Sequence, residues 1–412
     1  MEPKSSTSPA TPMSPKGEAL SPQQQSTLGV ILTRALALGL DVRPISTVTH
    51  GNRVTLYRLA PQGRTKTTAV EALAPDLALA LCTPHIVVKP LAGEGVMGIY
   101  VPNKEQTTVL WRNLVGSPSN ARVADLSDLS EGEGHATKQH IPLYLGTDWL
   151  GKVYIDDLTT LPHLLIAGST GGGKSVLLRS MCAGLLYSRR ASEVKLVLSD
   201  TKAVEFTDFV GCPHLMWERA TNPLRTIEYM ENLCEETDQR LQVLSKCGAK
   251  NIQEYNAQAP SRGYDSLPYI VLVIDELADI VSLKDAKGKK VTLGIEKVDY
   301  LSRKARAAGI HVIAATQRPS IAVVAGDIKS NFLARLSFRM PTEIDSRVVL
   351  DEGGAQYLME RGDMLYKTPN FQGGLLRLHS GLATQEDVQA AVMMAKFHET
   401  QPVTAPQNRQ LQ

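Results

Sequence analysis

The sequence lacks the features that would assign its 412 residues to a membrane, to secretion or to a zinc site. No window approaches the roughly 18 to 20 consecutive uncharged apolar residues that a membrane helix needs. Residues 1–6 lack the basic and then apolar pattern of a signal peptide. The five cysteines form no C-x-x-C pair. Scattered thiols suit a reducing compartment, so we expect a cytoplasmic protein.

An excess of charge is also missing. The chain carries 44 Lys and Arg against 42 Asp and Glu, which gives a formal net charge of +2. Binding to nucleic acid would therefore have to come from local basic groups. With 43% apolar and 21% charged residues the composition is that of a globular protein, and the length suggests two or three domains.

Composition divides the chain into four segments. Residues 1–26 are rich in Ser, Pro, Thr and Gln and predict a disordered leader. Residues 27–140 predict a small α+β domain, whose polar stretch 118–134 indicates a linker or long loop. Residues 141–382 alternate strands with helices, which predicts an α/β domain with a parallel sheet. Residues 383–412 predict one amphipathic helix, 385–397, and a disordered tail.

Within the α/β segment, short apolar runs predict the strands of the sheet. A long helix should begin at Asn222 and Pro223, because Asn is a good cap and Pro suits the first helical position. Apolar residues then recur at helical spacing as far as Leu244. The predicted strands are 164–167, 194–198, 269–274, 311–315 and 335–340.

Residues 168–175 read Gly-Ser-Thr-Gly-Gly-Gly-Lys-Ser and directly follow an apolar run. This is the G-x-x-x-x-G-K-[ST] phosphate loop in its expected context, between a strand and a helix. Glycines let backbone N–H groups point at phosphate oxygens, Lys174 can reach the β- and γ-phosphates, and the Ser175 hydroxyl can hold Mg²⁺. The pattern predicts binding of a nucleoside triphosphate, ATP, with Mg²⁺. The residues expected to contact it are Gly168, Ser169, Thr170, Gly171, Gly172, Gly173, Lys174 and Ser175.

The apolar run 269–274 ends in Asp275 and Glu276. In a phosphate-loop ATPase, an Asp at this point stabilises the Mg²⁺ shell and a following Glu polarises the attacking water. The alternative is an acidic cap on the next helix. Gln317 follows the strand 311–315, and ligands bind at the carboxyl ends of parallel strands, so we expect it to sense the γ-phosphate. An ordinary polar strand end is the alternative there.

Together these stretches resemble the FtsK/SpoIIIE family of DNA translocases. The resemblance is carried, in the family's order, by residues 162–168, 273–279 (Val-Ile-Asp-Glu-Leu-Ala-Asp), 304–311 (Lys-Ala-Arg-Ala-Ala-Gly-Ile-His), 315–320, 344–347 and 362–366. Residues 101–104, Val-Pro-Asn-Lys, resemble the family's α domain more weakly.

The resemblance implies a RecA-like motor that forms a hexameric ring around double-stranded DNA and moves it by ATP hydrolysis. Ring motors complete each nucleotide site with an arginine of the neighbouring subunit, and Arg306 occupies the matching position. The alternative is a surface arginine on a helix that begins near Leu293. Arg347 is a second candidate, and its alternative is a helical i,i+4 pair with Asp351.

The resemblance also implies DNA contacts at Arg318 and at Lys329 with its neighbours Ser330 and Asn331. Such contacts should go to phosphates, because a motor must grip every sequence alike. Glu343 departs from the family, which usually has a basic residue before Ile-Asp-Ser-Arg. An acid there would weaken the grip on DNA.

Septal members of the family begin with membrane helices and end in a winged-helix γ domain, and neither pattern occurs in these 412 residues. We therefore expect a stand-alone motor that moves chromosome, plasmid or phage DNA. Two alternatives stay open: an ATPase of a protein secretion system, and a DNA-binding assembly factor in which ATP drives assembly without movement.

Overall fold

The computed structural model describes residues 20–400 except 46, 52, 84–85, 92–93, 106, 117–120, 124–140, 150, 162, 284–291, 325 and 372–373. The chain forms two compact units, and the second begins at Val109 rather than at the predicted residue 141. Trp149–Gly151 belongs to the first unit. Most of the predicted linker, the tail from residue 401 and the first 19 residues of the predicted leader lie outside the described residues.

The first unit is an α+β domain built on an antiparallel sheet. The strands run in the order β1-β3-β5-β4, and β2 pairs with β3. Its helices are α1 (Pro22–Ala37), α2 (Thr67–Glu71) and α3 (Ala74–Ala80). Its strands are β1 (Val42–Pro44), β2 (Thr49–His50), β3 (Val54–Pro61), β4 (Val87–Leu91) and β5 (Val96–Pro102).

Helix α1 begins inside the segment predicted to be a disordered leader. The Ser21 hydroxyl accepts a hydrogen bond from the Gln24 N–H, and the Gln24 side chain accepts one from the Ser21 N–H. This capping box, with Pro22 at the first helical position, satisfies the backbone donors of the first turn. Leu20 is buried. The leader prediction is therefore wrong for residues 20–26, because a local cap and an apolar contact order a polar sequence.

The second unit contains the predicted α/β fold. Its helices are α4 (Trp111–Val115), α5 (Lys174–Ser188), α6 (Pro223–Cys247), α7 (Ile252–Gln258), α8 (Leu277–Val281), α9 (Leu293–Lys304), α10 (Gly326–Asn331), α11 (Glu343–Leu350) and α12 (Gln385–Thr400). Its strands are β6 (Ala121–Val123), β7 (Pro142–Asp148), β8 (Val153–Asp157), β9 (Leu164–Ala167), β10 (Val194–Ser199), β11 (Tyr269–Ile274), β12 (Ile310–Thr316), β13 (Ala334–Phe338), β14 (Asp363–Lys367) and β15 (Leu376–Ser380).

These strands form one mixed sheet in the order β10-β11-β12-β9-β13-β14-β15-β7-β8-β6. The first five in this order are mutually parallel and correspond to the predicted strands. Strands β14, β15 and β7 extend the sheet in antiparallel fashion, and β6 pairs with β8. Strand β6 lies within the segment 118–134 predicted to be a linker.

Apolar cores cover both faces of the parallel strands. Along β9, Leu164 and Ile166 belong to a core with α5, whereas Leu165 and Ala167 belong to a core with α6, α8 and α9, as the alternation of side chains along a strand requires. Helix α12 packs against α5 through Val388 and so completes this unit. Among the described residues, no helix has both the length and the apolar character to cross a bilayer.

The strand that leads into the phosphate loop begins beside a buried histidine. His163 precedes β9, is fully buried, and accepts a hydrogen bond at Nδ1 from the Val312 N–H on β12 (3.0 Å). An acceptor at Nδ1 requires a neutral ring. Burial, together with the nearby His311, lowers the pKa of His163 to about 3.

Mild acid should therefore weaken the second unit. The folded-state pKa of His163 lies below its ordinary value near 6.5, so this stability is full above that value and is lost as the pH falls towards 3. At pH 5 the loss from this group is about 2 kcal/mol. We expect His163→Gln to reduce the difference in unfolding free energy between pH 7.5 and pH 5, measured by urea titration. Parallel pH profiles for the two proteins would contradict the assignment.

Candidate nucleotide site

The phosphate loop joins β9 to α5 and requires glycine at particular positions. Gly173, which precedes the first helical residue, has φ +120°, a conformation that residues with a side chain rarely adopt. A Cβ at Gly168 would lie 2.7 Å from the Cβ of Phe338 on β13. The sequence pattern therefore corresponds to a tight backbone turn against the neighbouring strand.

Hydrogen bonds from outside the loop support this turn. The N–H and hydroxyl of Ser169 both donate to the Arg339 carbonyl, at 3.2 and 3.0 Å. The Gly172 carbonyl accepts from the Gly362 N–H at 2.9 Å. The loop is thus held in shape by backbone contacts of the protein itself.

Lys174 and Asp275 form a buried ion pair. The Lys174 Nζ lies 2.6 Å from Asp275 Oδ1 and 2.6 Å from the Asp275 carbonyl oxygen, and both side chains are almost completely buried. Asp275 Oδ2 is also buried and has no hydrogen-bond partner among the described residues. A buried carboxylate oxygen of this kind calls for a partner. Together with the Ser175 hydroxyl it offers the hard oxygen donors that Mg²⁺ prefers, so these residues fit the ion.

Glu276 lies at the junction of β11 and β12. Its Oε1 accepts hydrogen bonds from the Thr316 hydroxyl (2.7 Å) and the Ala278 N–H (3.3 Å), and its Oε2 accepts from the Gln317 N–H (3.1 Å). The contact with Ala278 means that Glu276 caps α8, which is the alternative anticipated for this acid. The carboxylate is nearly buried and held from three sides.

Gln317 reaches the phosphate loop. Its Oε1 accepts a hydrogen bond from the Thr170 hydroxyl at 3.2 Å. The structure thus brings together the loop, the two acids and Gln317, all at the carboxyl end of the parallel strands, as the topology of such sheets leads one to expect.

Arg306 lies near the amino ends of the parallel strands, opposite the phosphate loop, just before β12 begins. It is exposed, and its guanidinium donates to the Thr160 carbonyl at 3.3 Å. It lines a cavity of about 280 Å³ together with Lys250 and with Tyr269, the first residue of β11. Arg306 therefore does not meet the phosphate loop of its own chain.

The two predicted DNA contacts differ in their surroundings. Arg318 is exposed and follows Gln317 directly. Lys329 is held by the protein, since its Nζ lies 2.6 Å from Asp351 Oδ1 and donates to the Arg347 carbonyl.

Asp351 is the centre of a basic cluster that also includes Arg335 and Lys367. Partial burial opposes its ionisation, but hydrogen bonds from Lys329 and Arg335 hold the pKa of this carboxyl well below its usual range.

Arg347 pairs with Glu343 on α11 rather than with Asp351. The distance from Arg347 Nη2 to Glu343 Oε1 is 2.7 Å, and both side chains are exposed. The alternative considered for Arg347, an i,i+4 pair with Asp351, is not seen, because Asp351 has φ 66° and ends the helix, and its carboxylate pairs with Arg335. The acid that departs from the family pattern is thus the ion partner of Arg347.

Glu205 is a site residue that the sequence interpretation missed. The Ser175 hydroxyl donates a hydrogen bond to its Oε1 at 2.8 Å. Glu205 lies in an irregular segment after β10, where no motif distinguishes one acid from another. The one available signal was its place beyond the carboxyl end of a parallel strand.

The parallel core, the phosphate loop after β9 and the acid pair after β11 define a P-loop ATPase of RecA-like fold. The FtsK/SpoIIIE family model matches residues 126–321, and the FtsK alpha domain model matches residues 15–103. The chain belongs to the FtsK/SpoIIIE family, which confirms the resemblance seen in the sequence.

Curated relatives agree with this assignment. The chain is 39% identical over 347 residues to the protein named DNA translocase FtsK of Helicobacter pylori, covering 84% of this chain and 38% of that protein. It is 36% identical over 377 residues to the DNA translocase FtsK of Lactiplantibacillus plantarum, covering 90% of this chain and 44% of that protein. The chain therefore spans less than half the length of these relatives.

Solved structures share the fold. The pCW3 conjugation coupling protein TcpA, in its monomer form with ATPγS, is 22% identical with a TM-score of 0.59, covering 90% of this chain and 99% of that chain. The cytoplasmic domain of the Type VII secretion ATPase EccC of Thermomonospora curvata is 19% identical with a TM-score of 0.58, covering 70% and 34%. At these identities the likeness concerns the fold alone.

The buried ion pair gives a stability prediction. Lys174→Met should lower the unfolding free energy by about 3–5 kcal/mol, because it leaves Asp275 charged and buried without its partner. Adding Asp275→Asn should restore much of the loss, since no buried charge then remains. Urea titrations without nucleotide measure both effects. An unchanged midpoint for Lys174→Met would contradict the role of the pair.

Proposed function

We propose that the chain is an ATP-driven translocase of double-stranded DNA. The observation that carries the proposal is the nearly buried Glu276, held beside Asp275 by Thr316 and by the Gln317 N–H. A fixed carboxylate beside the phosphate loop suits hydrolysis rather than binding alone. The relatives named DNA translocase FtsK support DNA as the substrate.

In the proposed reaction, each site residue has one task. The loop amides and Lys174 would bind the phosphates, and Ser175 and Asp275 would hold Mg²⁺, which would neutralise charge on the phosphate oxygens. Glu276 accepts the proton of the attacking water, which contributes typically about 10²–10⁴ in rate. Gln317, in contact with Thr170, senses whether the γ-phosphate is present.

We further propose that the motor is a homo-oligomer, a hexameric ring, in which Arg306 acts on the nucleotide of the neighbouring subunit. Arg306 lies near the amino ends of the strands, away from the phosphate loop of its own chain, and this position supports a role between subunits. Lys250, which lines the same cavity, adds a second positive charge there. A guanidinium at the transferred phosphate is worth about 10³–10⁵ in rate in related reactions.

For DNA, the surroundings favour Arg318 over Lys329. Arg318 is exposed, whereas the ammonium of Lys329 is committed to Asp351. Because Arg318 directly follows Gln317, a change in the state of the γ-phosphate is transmitted to the proposed DNA contact through consecutive residues.

DNA-stimulated ATP hydrolysis tests the proposal. Linear duplex DNA should raise the ATPase rate of the wild-type chain, and the stimulation should fall between about 50 and 200 mM salt as phosphate contacts weaken. Glu276→Gln keeps an oxygen acceptor for Thr316, so it should bind ATP but hydrolyse it about 10²–10⁴ times more slowly. Triplex displacement then measures movement.

Two outcomes would contradict this assignment. Basal hydrolysis without any DNA stimulation would favour the secretion ATPase, whose substrate is a polypeptide. Hydrolysis at the wild-type rate by Glu276→Gln would remove this residue from the reaction.

Mixed oligomers test Arg306. Arg306→Ala and Glu276→Gln should each abolish most hydrolysis, and a mixture of the two should recover part of it. Recovery arises because an intact Glu276 of one subunit can meet an intact Arg306 of its neighbour. Arg303→Ala, which removes an exposed arginine near the end of the helix before Arg306, should keep the wild-type rate. Full activity of Arg306→Ala, or a mixture no more active than its components, would contradict action between subunits.

A further inference from the structure

We propose that Glu205 positions the Ser175 hydroxyl as a Mg²⁺ ligand and thereby sets the affinity of the site for the ion. The inference rests on the proposed function in one respect, the binding of Mg²⁺ and ATP at the phosphate loop. Glu205 acts through Ser175 and is a positioning residue rather than a catalytic one.

The direction of one hydrogen bond carries the inference. A serine hydroxyl has one hydrogen and two lone pairs, and only a lone pair can bind a cation. In this structure the hydrogen of Ser175 is donated to Glu205 Oε1 at 2.8 Å, since an ionised carboxylate can only accept. Both lone pairs of Oγ are then left for other partners. A charged acceptor also makes the oxygen a stronger ligand, as outer-shell partners generally do.

The backbone around Glu205 is fixed by a single buried carboxylate. Asp200, which directly follows β10, accepts hydrogen bonds from the N–H groups of Val204 and Phe206, both at 3.1 Å. These are the residues on either side of Glu205. Arg219 in turn pairs with Asp200 at 2.7 Å. The segment therefore presents Glu205 to the phosphate loop in a defined geometry.

A second set of contacts ties the same segment to helix α5. Phe206 and Phe209 are fully buried in the core that this helix covers. Arg179, one helical turn after Ser175, pairs with Asp208 at 2.6 Å. The segment that carries Glu205 is thus held before this residue by Asp200 and after it by the buried phenylalanines and the pair of Arg179 with Asp208.

The charge of Glu205 distinguishes a role in positioning the Mg²⁺ ligand from a purely structural role, because its effect on nucleotide binding should depend on whether Mg²⁺ is present. A carboxylate near a polyphosphate repels it when no cation lies between them. With Mg²⁺ present, the same carboxylate strengthens a ligand of the ion. Removal of the charge should therefore weaken nucleotide binding in Mg²⁺ and leave it unchanged or stronger in EDTA, whereas damage to the fold would weaken both.

The test measures binding of a fluorescent ATP analogue to the full chain, without DNA, during a Mg²⁺ titration. Glu205→Gln and Glu205→Ala should raise the Mg²⁺ concentration for half-maximal binding by about 10–100-fold. In EDTA their affinity for the analogue should equal or exceed that of the wild type. In a Ser175→Ala background, Glu205→Ala should have little further effect, because the hydroxyl through which it acts is gone.

The matched control is Asp208→Asn, which removes one negative charge from the same segment but keeps a side-chain oxygen that can accept from Arg179 and leaves the acceptor of Ser175 in place. It should change the unfolding midpoint and leave the Mg²⁺ titration as in the wild type. An unchanged Mg²⁺ midpoint in Glu205→Ala, or parallel losses in Mg²⁺ and in EDTA, would overturn the inference. Failure of the wild-type chain to bind the analogue at all would instead overturn the proposed nucleotide site itself.

Discussion

The buried pair of Lys174 and Asp275 is the constraint on which the nucleotide site depends. It joins the phosphate loop to the end of β11 across a region from which water is excluded, and each charge needs the other. Because Lys174 occupies only Oδ1 and the carbonyl oxygen, Asp275 keeps a buried oxygen for a further cation. The pair therefore holds Lys174 in place at the phosphate loop and, in the proposed site, leaves Asp275 Oδ2 as the oxygen that Mg²⁺ would approach.

From Glu276, the residue next to Asp275, a chain of hydrogen bonds leads towards the proposed DNA contact. Glu276 accepts the hydrogen of the Thr316 hydroxyl, and the oxygen of that hydroxyl accepts the Arg318 N–H at 3.1 Å. A shift of the acid during hydrolysis would thus be felt by the backbone of Arg318. The coupling requires no long-range movement, because β11 and β12 are neighbouring strands.

The parts of the fold that could be predicted from sequence are those encoded locally. Strands β9 and β11 are buried on both faces and give continuous apolar runs, and β10, β12 and β13 are mostly apolar. The predicted bounds of all five agree with the structure within about two residues. The phosphate loop and the acids after β11 were equally visible, since their chemistry fixes residue types at fixed spacing. Strand β6 was missed because it forms through pairing with β8, which is distant in sequence. The first turn of α1 was missed because a capping contact at Ser21 orders it.

The site residues divide in the same way. Glu205 depends on Asp200, Arg219 and the two buried phenylalanines for its position, and no local pattern records that dependence. Helical spacing offered Asp351 as an alternative partner for Arg347, but Glu343 lies at the same spacing on the other side. The left-handed turn at Asp351 ends the helix there, and Glu343 is the partner.

In the parallel core, the two ends of the strands carry the two parts that the proposed site between subunits would need. Because its strands are parallel, the phosphate loop, both acids and Gln317 all lie at the carboxyl ends of the strands. The amino ends of the same strands carry Arg306 and Lys250 around a cavity that the residues of the phosphate loop do not line. In the proposed ring, the carboxyl-end side of one subunit would face the amino-end side of the next. The phosphate loop of one subunit would then meet Arg306 of its neighbour. In the proposed ring, the same topology that separates Arg306 from the phosphate loop of its own chain would make hydrolysis depend on adjacent subunits.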